Sequence, residues 1–454
     1  MKRNFISVML FFTVYLIVEA GEYDLAAYLA QVRQYNPDIA LASKEIGLAK
    51  TSVAQARAAF LPAIGLQGGY SRNFLDSMRS TPVASLPGGG PLVYQDVDSN
   101  YDNELTFGLG VTQTLFDAGA IANYNKARKG QAIREESSEA VKQNIQSAAK
   151  KLYAQTQLVL MVVEIMEASE RLSHDIYEST ERKYRAGADT ELNLLMAEVD
   201  WKTKITSTAE AQKNAELALI AFRNLAGIPL SEAVALTEPP EDLPAIPDVP
   251  ALETVLGLRH DYRMLTLTRE MADLDRRAAA GAFLPTASAS FSYGLGGMGN
   301  SSSGNSSSGN SSSGNGSSLV GDYAFDSAAL SLKISIPLFA GGYRLARMEA
   351  AKLEQEKADI ALLNRRETIE SDLSKLSLRF KEAAQRVESA RLIVAAAERA
   401  VSLSQTAYTN GLATQLTVAD AINKLGSARL GLHSAIFEYR ASYYDWENTL
   451  GLVK

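Results

Sequence analysis

Cysteine is absent from the 454-residue chain, and histidine is scarce. Without cysteine the chain has no disulfide bonds, no thiolate chemistry and no lipid attached through an N-terminal cysteine. The three histidines, His174, His260 and His433, are widely spaced and match no ligand pattern such as H-E-x-x-H, so we expect each on a helix surface. The chain also lacks a G-x-S-x-G elbow and a Walker loop. The sequence therefore predicts no metal site, no cofactor and no enzyme.

Long apolar runs are missing beyond the N-terminus, and the formal net charge is −7. An acidic chain is a poor partner for nucleic acid, so none is expected. At the N-terminus, Lys2 and Arg3 precede an apolar run, and Ala20 lies before Gly21 in a small-residue pattern. This arrangement predicts a secretory signal peptide over 1–20. The alternative is an uncleaved anchor, although the run is shorter than the roughly 20 residues that span a bilayer.

The chain contains the same phrase twice. Residues 58–70 read AAFLPAIGLQGGY, and residues 281–293 read GAFLPTASASFSY, with Phe-Leu-Pro 223 positions apart. Residues 184–187 and 408–411, each Tyr-x-x-Gly, match at a spacing of 224. A single-residue difference over this distance predicts two tandem structural repeats.

The matches set the predicted boundaries of the repeats. The first repeat covers 21–226, and the second covers 251–454. A proline-rich segment at 227–250 is predicted to be an irregular connector. Each repeat is expected to begin with a helical stretch, 22–59 or 250–282, that ends at Phe-Leu-Pro because proline disfavours the continuing helix.

Alternation of apolar and polar residues then predicts two strands in each repeat. The strands are expected at 63–74, 103–115, 286–296 and 327–338. About ten residues with one apolar face suit a tilted strand in a bilayer, and a two-sided soluble sheet is the alternative. Four strands alone would leave open edges in lipid, so transmembrane strands require several chains to close one barrel. Three chains would supply twelve strands.

The segments between the paired strands are predicted to be loops. The second, a Ser/Asn/Gly tract at 299–318, cannot bury apolar surface and is expected to be a disordered surface loop. The first, roughly 74–103, carries prolines instead. A G-x-G-x-x-G match at Gly294–Gly299 precedes this tract rather than a helix, so we interpret it as a turn and not as a dinucleotide site.

Helical stretches of unusual length follow each strand pair. The sequence predicts helical hairpins over about 120–226 and 343–450, turning at Gly187 and Gly411. Their first arms lack proline and carry a coiled-coil-like apolar pattern. A helix of about 60 residues would extend about 90 Å.

The ordered motifs resemble the TolC family of outer-membrane efflux proteins. They are Phe-Leu-Pro before a strand, Leu-Phe-x-x-Gly at Leu115–Gly119 and Leu338–Gly342, and Tyr-x-x-Gly-x-x-Thr at Tyr184–Thr190 and Tyr408–Thr414. The resemblance implies a mixed α and β membrane protein that forms a trimeric α/β-barrel. Each of three chains would give four strands to a twelve-stranded outer-membrane barrel and long coiled-coil helices to a periplasmic α-barrel.

The resemblance also implies a function and partners. The homotrimer would be a passive exit duct for efflux or type I secretion, held in outer-membrane lipid. A periplasmic adaptor (membrane fusion) protein would join it to an inner-membrane transporter of the RND, ABC or MFS type. The competing hypothesis is a structural or adhesive coiled-coil protein of the bacterial envelope, which explains the helices but not the alternating strands.

Site residues follow from the family pattern position by position. Asp420 matches a carboxylate of the pore constriction, whereas Thr417 and Asn193 occupy positions where the family has carboxylates, so the closing network is expected to be partial. A ring of Asp420 would attract cations. The expected adaptor contacts at the two tips are Arg185, Gly187, Thr190, Gly411 and Thr414.

Overall fold

The structure is a computed structural model, and it describes residues 21–74, 78–85, 92–98, 102–239, 243–245, 250–299, 323–410 and 412–452. The chain divides into two compact units. The helical unit comprises residues 1–47, 132–267 and 359–454, and the strand unit comprises residues 48–131 and 268–358. Most of the predicted loop at 299–318 lies outside the described residues.

Along the described residues, the helices occur in consecutive pairs that are separated by one or more strands. In order the elements are β1 Gly21–Tyr23, α1 Leu25–Tyr35, α2 Pro37–Ala58, β2 Ala63–Arg72, β3 Met78–Ser85, β4 Leu92–Asp98, β5 Asn103–Phe116, α3 Ala118–Arg185, α4 Glu191–Ala226, β6 Val234–Leu236, α5 Leu252–Leu258, α6 His260–Gly281, β7 Thr286–Gly299, β8 Tyr323–Ser335, α7 Tyr343–Thr409 and α8 Gln415–Leu450. Helices α3 and α7 have 68 and 67 residues, about six times the length of an average globular helix.

The helical stretch expected at 22–59 begins later than predicted, at Leu25, and is interrupted once, at Asn36. Residues 21–23 form strand β1, which pairs in parallel with β6 inside the predicted irregular connector. Between α1 and α2, Asn36 has an extended ψ of 124° because Pro37 disfavours the helical conformation at the residue before it. The Asn36 side chain then accepts a hydrogen bond from Asp38 N at 3.0 Å and begins α2.

The strand unit contains a four-stranded antiparallel sheet in the order β2-β5-β7-β8. Directly paired residues share a face, and one row across the sheet is Ile64, Val111, Phe291 and Leu330. The next row along β2 is Ala63, Thr112, Ser290 and Ser331. The sheet therefore has an apolar and a polar face. Strand β8 ends at Ser335, before the expected 338, because Pro337 has no N–H to donate to a strand.

Two expectations for the segments around the sheet are wrong. The first predicted loop contains a separate two-stranded sheet of β3 and β4, with a register shift between Pro82 and Ala84. Proline is tolerated at such a bulge because the local hydrogen bond is already lost. The segment Gly294–Gly299 is the end of β7 rather than a turn, because β5 and β8 pair with it on both sides. At Gly296 a Cβ would lie 2.3 Å from the Phe325 ring, so a larger residue there would force that ring to move.

Three apolar clusters stabilise the helical unit. In the first, Tyr28 stacks on Phe222 with ring centroids 3.8 Å apart, and both are fully buried together with Tyr153. The second centres on Ile369 and Trp446, and the third comprises residues of α7 and α8 around Phe380 and Tyr439. Among the described residues, none of the helices combines the length and the apolarity that a membrane crossing requires.

A charged cluster fixes the start of α6. The Asp261 carboxylate accepts hydrogen bonds from Arg259 Nε at 2.9 Å and Arg365 Nε at 2.9 Å. Arg259 also donates to Thr449 O, near the end of α8. Burial disfavours the charged carboxylate, but the two guanidinium groups outweigh burial and hold the pKa of Asp261 well below its usual range. The cluster thus joins α6, α7 and α8.

Candidate functional site

The apolar face of the sheet is exposed. Leu66 is 78% exposed, Leu330 is 81% exposed and Ile334 is 62% exposed. On the opposite face the hydroxyls of Ser290 and Ser331 hydrogen-bond across the strands at 2.9 Å. A continuous exposed apolar surface is unusual for a soluble monomer and marks a face that contacts lipid or another protein.

The sheet also has two open edges. Strands β2 and β8 are the outer strands of the order β2-β5-β7-β8, so each is paired on one side. An outer strand presents unpaired N–H and C=O groups that can pair with another chain. The exposed face and the open edges together make the strand unit suited to assembly with further copies.

The first hairpin tip is a regular helix stop. Gly187, with φ of 69°, follows α3 in the left-handed conformation that favours glycine. Its N–H donates to Tyr184 O at 2.9 Å, and Ala188 N donates to Lys183 O at 2.8 Å. This pair of bonds is the Schellman motif, which satisfies the last carbonyl groups of a helix.

The predicted tip residues of the first hairpin also have local roles. Thr190 is the N-cap of α4, and its hydroxyl accepts a hydrogen bond from Asn193 N at 3.3 Å. The Asn193 side chain donates to Asp189 Oδ1 at 2.7 Å. Arg185 pairs with Glu181 at 2.7 Å on the same helix, yet its side chain stays 74% exposed. Sequence reasoning did not predict these capping bonds, although Thr190 followed by an acidic first turn is a known start signal.

The second hairpin tip has a similar arrangement around a gap in the described residues. Gly411 lies outside them, but Leu412 N donates to Ala407 O at 2.8 Å, the counterpart of the bond between Ala188 and Lys183. Thr414 is the N-cap of α8, and its hydroxyl lies 3.0 Å from the Thr417 hydroxyl. Thr414 and Thr417 are therefore neighbours within one tip.

The predicted constriction carboxylate has a cationic neighbour. Asp420 Oδ2 lies 2.7 Å from Lys424 Nζ, one turn along α8, and the side chains are 60% and 72% exposed. Such an exposed pair contributes little to stability. It nevertheless places a positive charge beside the carboxylate, which weakens the field that a ring of Asp420 would produce. Sequence reasoning missed Lys424, although its spacing of four from Asp420 on a helix could have indicated the pair.

Several contacts join the first hairpin, α3 and α4, to the second hairpin, α7 and α8, and two of them lie toward the tips. Near the tips, Lys183 Nζ donates to the Tyr408 hydroxyl and lies 3.8 Å from the centroid of that ring. Further from the tips, Lys204 Nζ donates to Asn423 Oδ1 at 2.7 Å. Sequence reasoning identified Tyr408 only as a motif position, because helical periodicity does not predict contacts between separate hairpins.

An open groove runs between α7 and α8. Its volume is about 1130 Å³, and alanine, serine and glycine supply most of its lining. Thr417, Asp420 and Lys424 lie in the half nearer the tip. At the other end, Arg386 and Glu438 form an ion pair across the groove. The groove exists because small side chains at facing positions cannot fill the space between two helices.

Aromatic side chains fill the corresponding part of the first hairpin. Trp201 stacks on Tyr177 with centroids 5.3 Å apart, and His174 contacts the same indole at 4.7 Å. The expectation of a surface position is wrong for His260, whose Nδ1 lies 2.7 Å from Glu136 Oε2 in a half-buried pair. Within the described ranges, no group of three or more His, Asp or Glu side chains is arranged to hold a metal ion.

Related proteins are similar in sequence to this chain over most of its length. Alkaline protease secretion protein AprF of Pseudomonas aeruginosa is 23% identical over 414 residues, covering 90% of this chain and 80% of AprF. Outer membrane protein TolC of Salmonella enteritidis is 19% identical over 433 residues, covering 93% of this chain and 81% of TolC.

Solved structures show the same fold at low identity. The outer membrane protein VceC of Vibrio cholerae has a TM-score of 0.71 at 19% identity, covering 94% of this chain and 96% of VceC. The CmeC outer membrane channel of Campylobacter jejuni has a TM-score of 0.76 at 18% identity, covering 95% of this chain and 86% of CmeC. The family model of outer membrane efflux proteins matches residues 28–228 and 251–450. The chain belongs to the outer membrane efflux protein family.

Proposed function

We propose that this protein is the outer-membrane duct of a tripartite efflux or type I secretion system. It provides a passive exit path, while an inner-membrane transporter supplies the energy and a periplasmic adaptor joins the two. Membership of the outer membrane efflux protein family supports this function and an outer-membrane location extending into the periplasm. AprF and a second relative, proteases secretion protein PrtF of Dickeya chrysanthemi, are named for protease secretion, which favours a secreted protein as one class of cargo.

One observation carries the membrane part of the proposal: the sheet is apolar on one exposed face, polar on the other, and open at β2 and β8. Lipid has no hydrogen-bonding groups to satisfy these edges, so a spanning sheet must close. Pairing β8 of one copy with β2 of the next satisfies both edges. Three copies give twelve strands, with apolar side chains toward lipid and serine, threonine and glycine toward a wet lumen.

Exposed apolar surface on the helical unit also supports assembly into a homotrimer. Large exposed apolar side chains are concentrated on α4 and α7; examples are Leu192, Leu195 and Val199 on α4, and Leu392, Ile393 and Leu403 on α7. When one face of a chain binds a different face of the next copy, the copies form a closed ring if the rotation from each copy to the next adds up to a full turn. The α4 face of one copy therefore packs against the α7 face of its neighbour in the homotrimer.

The hairpin tips are assigned to gating and adaptor contact. Arg185, Gly187, Thr190, Gly411 and Thr414 form the adaptor-contacting surface, and Asp420, Thr417 and Asn193 form the constriction. The exposure of Arg185 and the helix-stop geometry at Gly187 support a rigid, accessible first tip. The pair between Asp420 and Lys424 supports a weaker cation preference than an unpaired ring of carboxylates would give.

The test is ion conductance of the purified protein in planar bilayers, together with export by a strain that lacks the gene. Stable conductance steps and restored export are expected. A matched variant, Leu330→Lys, puts a charge on the exposed apolar face and should abolish membrane insertion. A structural or adhesive coiled-coil protein would instead give no conductance, and deletion of its gene would leave export unchanged.

A further inference from the structure

Strand β1 begins at the first residue after the predicted signal peptide. Gly21 N donates to Ala233 O at 2.8 Å, and β1 pairs with β6 from Gly21 to Tyr23. Because Tyr23 packs against the first apolar cluster, the segment is anchored directly after its first residue. If the chain began at Gly21, its N-terminal ammonium group would therefore have a fixed position and fixed neighbours.

A carboxylate lies beside that residue. Glu232 Oε1 is 2.7 Å from the position that a Cβ on Gly21 would occupy. The backbone nitrogen and a Cβ share one Cα and lie about 2.5 Å apart, so this oxygen is within roughly 5 Å of the Gly21 nitrogen. An opposite charge at about 4–6 Å favours the charged form of an amine.

One hydrogen bond holds the Glu232 carboxylate, and two more fix the backbone of the same residue. The Tyr23 hydroxyl donates to Glu232 Oε1 at 2.8 Å. The backbone of Glu232 is fixed by Arg223 Nε, which donates to its carbonyl oxygen at 3.0 Å, and by its own N–H, which donates to Pro229 O. Arg223 is buried and pairs with Glu216 at 3.2 Å, so its charge has a partner of its own.

Glycine is the residue that this arrangement accepts at position 21. Any side chain would begin with a Cβ 2.7 Å from the Glu232 carboxylate and 2.8 Å from the Tyr23 ring. Contacts this short force one of the neighbours to move. The carboxylate therefore approaches the backbone at Gly21 more closely than it could approach another residue.

We propose that Glu232 is the receptor for the α-ammonium group created when the signal peptide is cleaved between Ala20 and Gly21, so that processing locks β1 onto β6. The inference rests on the proposed cleavage site. In the step, water adds across the peptide bond, Ala20 leaves as a carboxylate, and the Gly21 nitrogen takes a proton. One N–H keeps the bond to Ala233 O, and the added positive charge pairs with Glu232.

Other ionisable groups lie in residues 22–24 or are linked to Tyr23 or Glu232 through hydrogen bonds, ion pairs or electrostatic interactions. They are Glu22, Tyr23, Asp24, Tyr153, Glu216, Arg223 and Glu238. Burial first, and then the hydrogen bond to Glu232, raises the pKa of Tyr23, so this hydroxyl stays a neutral donor. Asp24 is occupied as the N-cap of α1. Glu232 remains the anion in contact with residue 21.

The test uses the mature protein purified from outer membranes. Intact mass should show a chain that starts at Gly21. Competitive acetylation across pH, read from the N-terminal peptide, should give an α-amine pKa about one unit above its usual range of roughly 8. The Glu232→Gln variant should lose this shift, and its amine should react roughly tenfold faster at pH 7.5.

Two further variants complete the test. Glu22→Gln removes a nearby carboxylate on an exposed side chain and should titrate like the native protein. Gly21→Ala should displace Glu232 and move the pKa toward that of Glu232→Gln. Equal α-amine titration in the native and Glu232→Gln proteins, or a mature chain that does not start at Gly21, would overturn the proposal. Neither result would affect the proposed duct, which depends on the strand unit and the tips.

Discussion

The two halves of the chain share motifs at a spacing of 223 or 224, yet they use corresponding positions differently. In the first half Trp201, Tyr177 and His174 fill the hairpin. In the second half the hairpin has a groove of about 1130 Å³ between α7 and α8. Exposed ion pairs such as Arg429 with Glu398, at 2.9 Å, also join these two helices. Aromatic packing gives one preferred geometry, whereas exposed ion pairs contribute little. The second hairpin is therefore expected to be the more mobile.

At the start of α2 in the first half and of α6 in the second half, the difference is in the opposite direction, because here the second half is held more firmly. Asp261 is clamped by Arg259 and Arg365, whereas Asp38, at the corresponding position, is exposed. The second half is thus fixed near α6 and around Phe380 and Tyr439, but its hairpin has a groove in the part nearer the tip. In the corresponding part of the first half, aromatic side chains pack instead. We therefore expect substitutions to have effects that decrease from Asp261 to Asp420.

The largest effect is expected at the clamp. Asp261→Asn should destabilise the start of α6 by about 2–3 kcal/mol, because two guanidinium groups lose their anion. Since the pKa of Asp261 is lowered, its stabilisation is complete above the usual carboxyl range and is lost as pH falls toward the lowered pKa. Hydrogen exchange of α6 at pH 7 and at pH 3 measures the loss of stability in Asp261→Asn and the pH dependence of the Asp261 contribution. Asp38→Asn is the control, and an equal effect of both variants would contradict the comparison.

The aromatic contact comes next. Trp201→Ala should cost about 2 kcal/mol, and amides of α3 near Tyr177 should exchange roughly thirtyfold faster. Trp201→Phe keeps a ring and should lose less than half of this protection. The exchange of α7 should stay the same in both variants. Unchanged exchange near Tyr177 would show that the aromatic cluster does not hold the first hairpin.

Replacing a small residue by leucine should destabilise the first hairpin more than the second. Ala197 is buried in the first hairpin, so Ala197→Leu should cost about 1–3 kcal/mol through overpacking. Ala428 lines the groove of the second hairpin, so Ala428→Leu should be close to neutral. Thermal dissociation of the detergent-solubilised oligomer compares the two. Similar losses for both would mean that the groove is filled in the assembly.

The turn at the first tip should respond to backbone strain. Gly187→Val should cost about 1–2 kcal/mol, because a β-branched residue resists the left-handed conformation at φ of 69°. Export should fall while trimers still form, since the tip is expected to contact the adaptor. Gly187→Asn tolerates the conformation and should export normally. Normal export by Gly187→Val would remove this tip from adaptor contact.

The smallest effect is expected at Asp420. Because Lys424 already lies beside it, Asp420→Asn should lower cation selectivity only slightly. Lys424→Met should raise cation selectivity, since it leaves the carboxylate without its neighbour. Reversal potentials in planar bilayers under a salt gradient measure both. Selectivity that is unchanged in both variants would place Asp420 away from the constriction.

Different parts of this fold were predictable to different degrees. Strong periodicity and the lack of proline predict the long helices, and alternation predicts the faces of β5 and β7. The break at Asn36 could have been predicted from Pro37. The strand at Gly294–Gly299 could not, because its conformation depends on partners in β5 and β8 rather than on local sequence.

The candidate site was predictable mainly as motif positions. The Tyr-x-x-Gly-x-x-Thr motif located both tips, but it did not reveal that Thr190 and Thr414 cap the returning helices. The contact of Lys183 with Tyr408 joins residues that are 225 positions apart. Periodicity describes one helix at a time, so such pairs between hairpins require the structure.

We propose that four strands with two open edges form a closed duct only when three chains assemble. Light scattering of detergent-extracted outer-membrane material, corrected for bound detergent, measures the number of chains in a particle. Three chains are predicted, because the β2 and β8 edges then close a twelve-stranded barrel. A particle containing one chain would leave both edges open in lipid and would contradict the account.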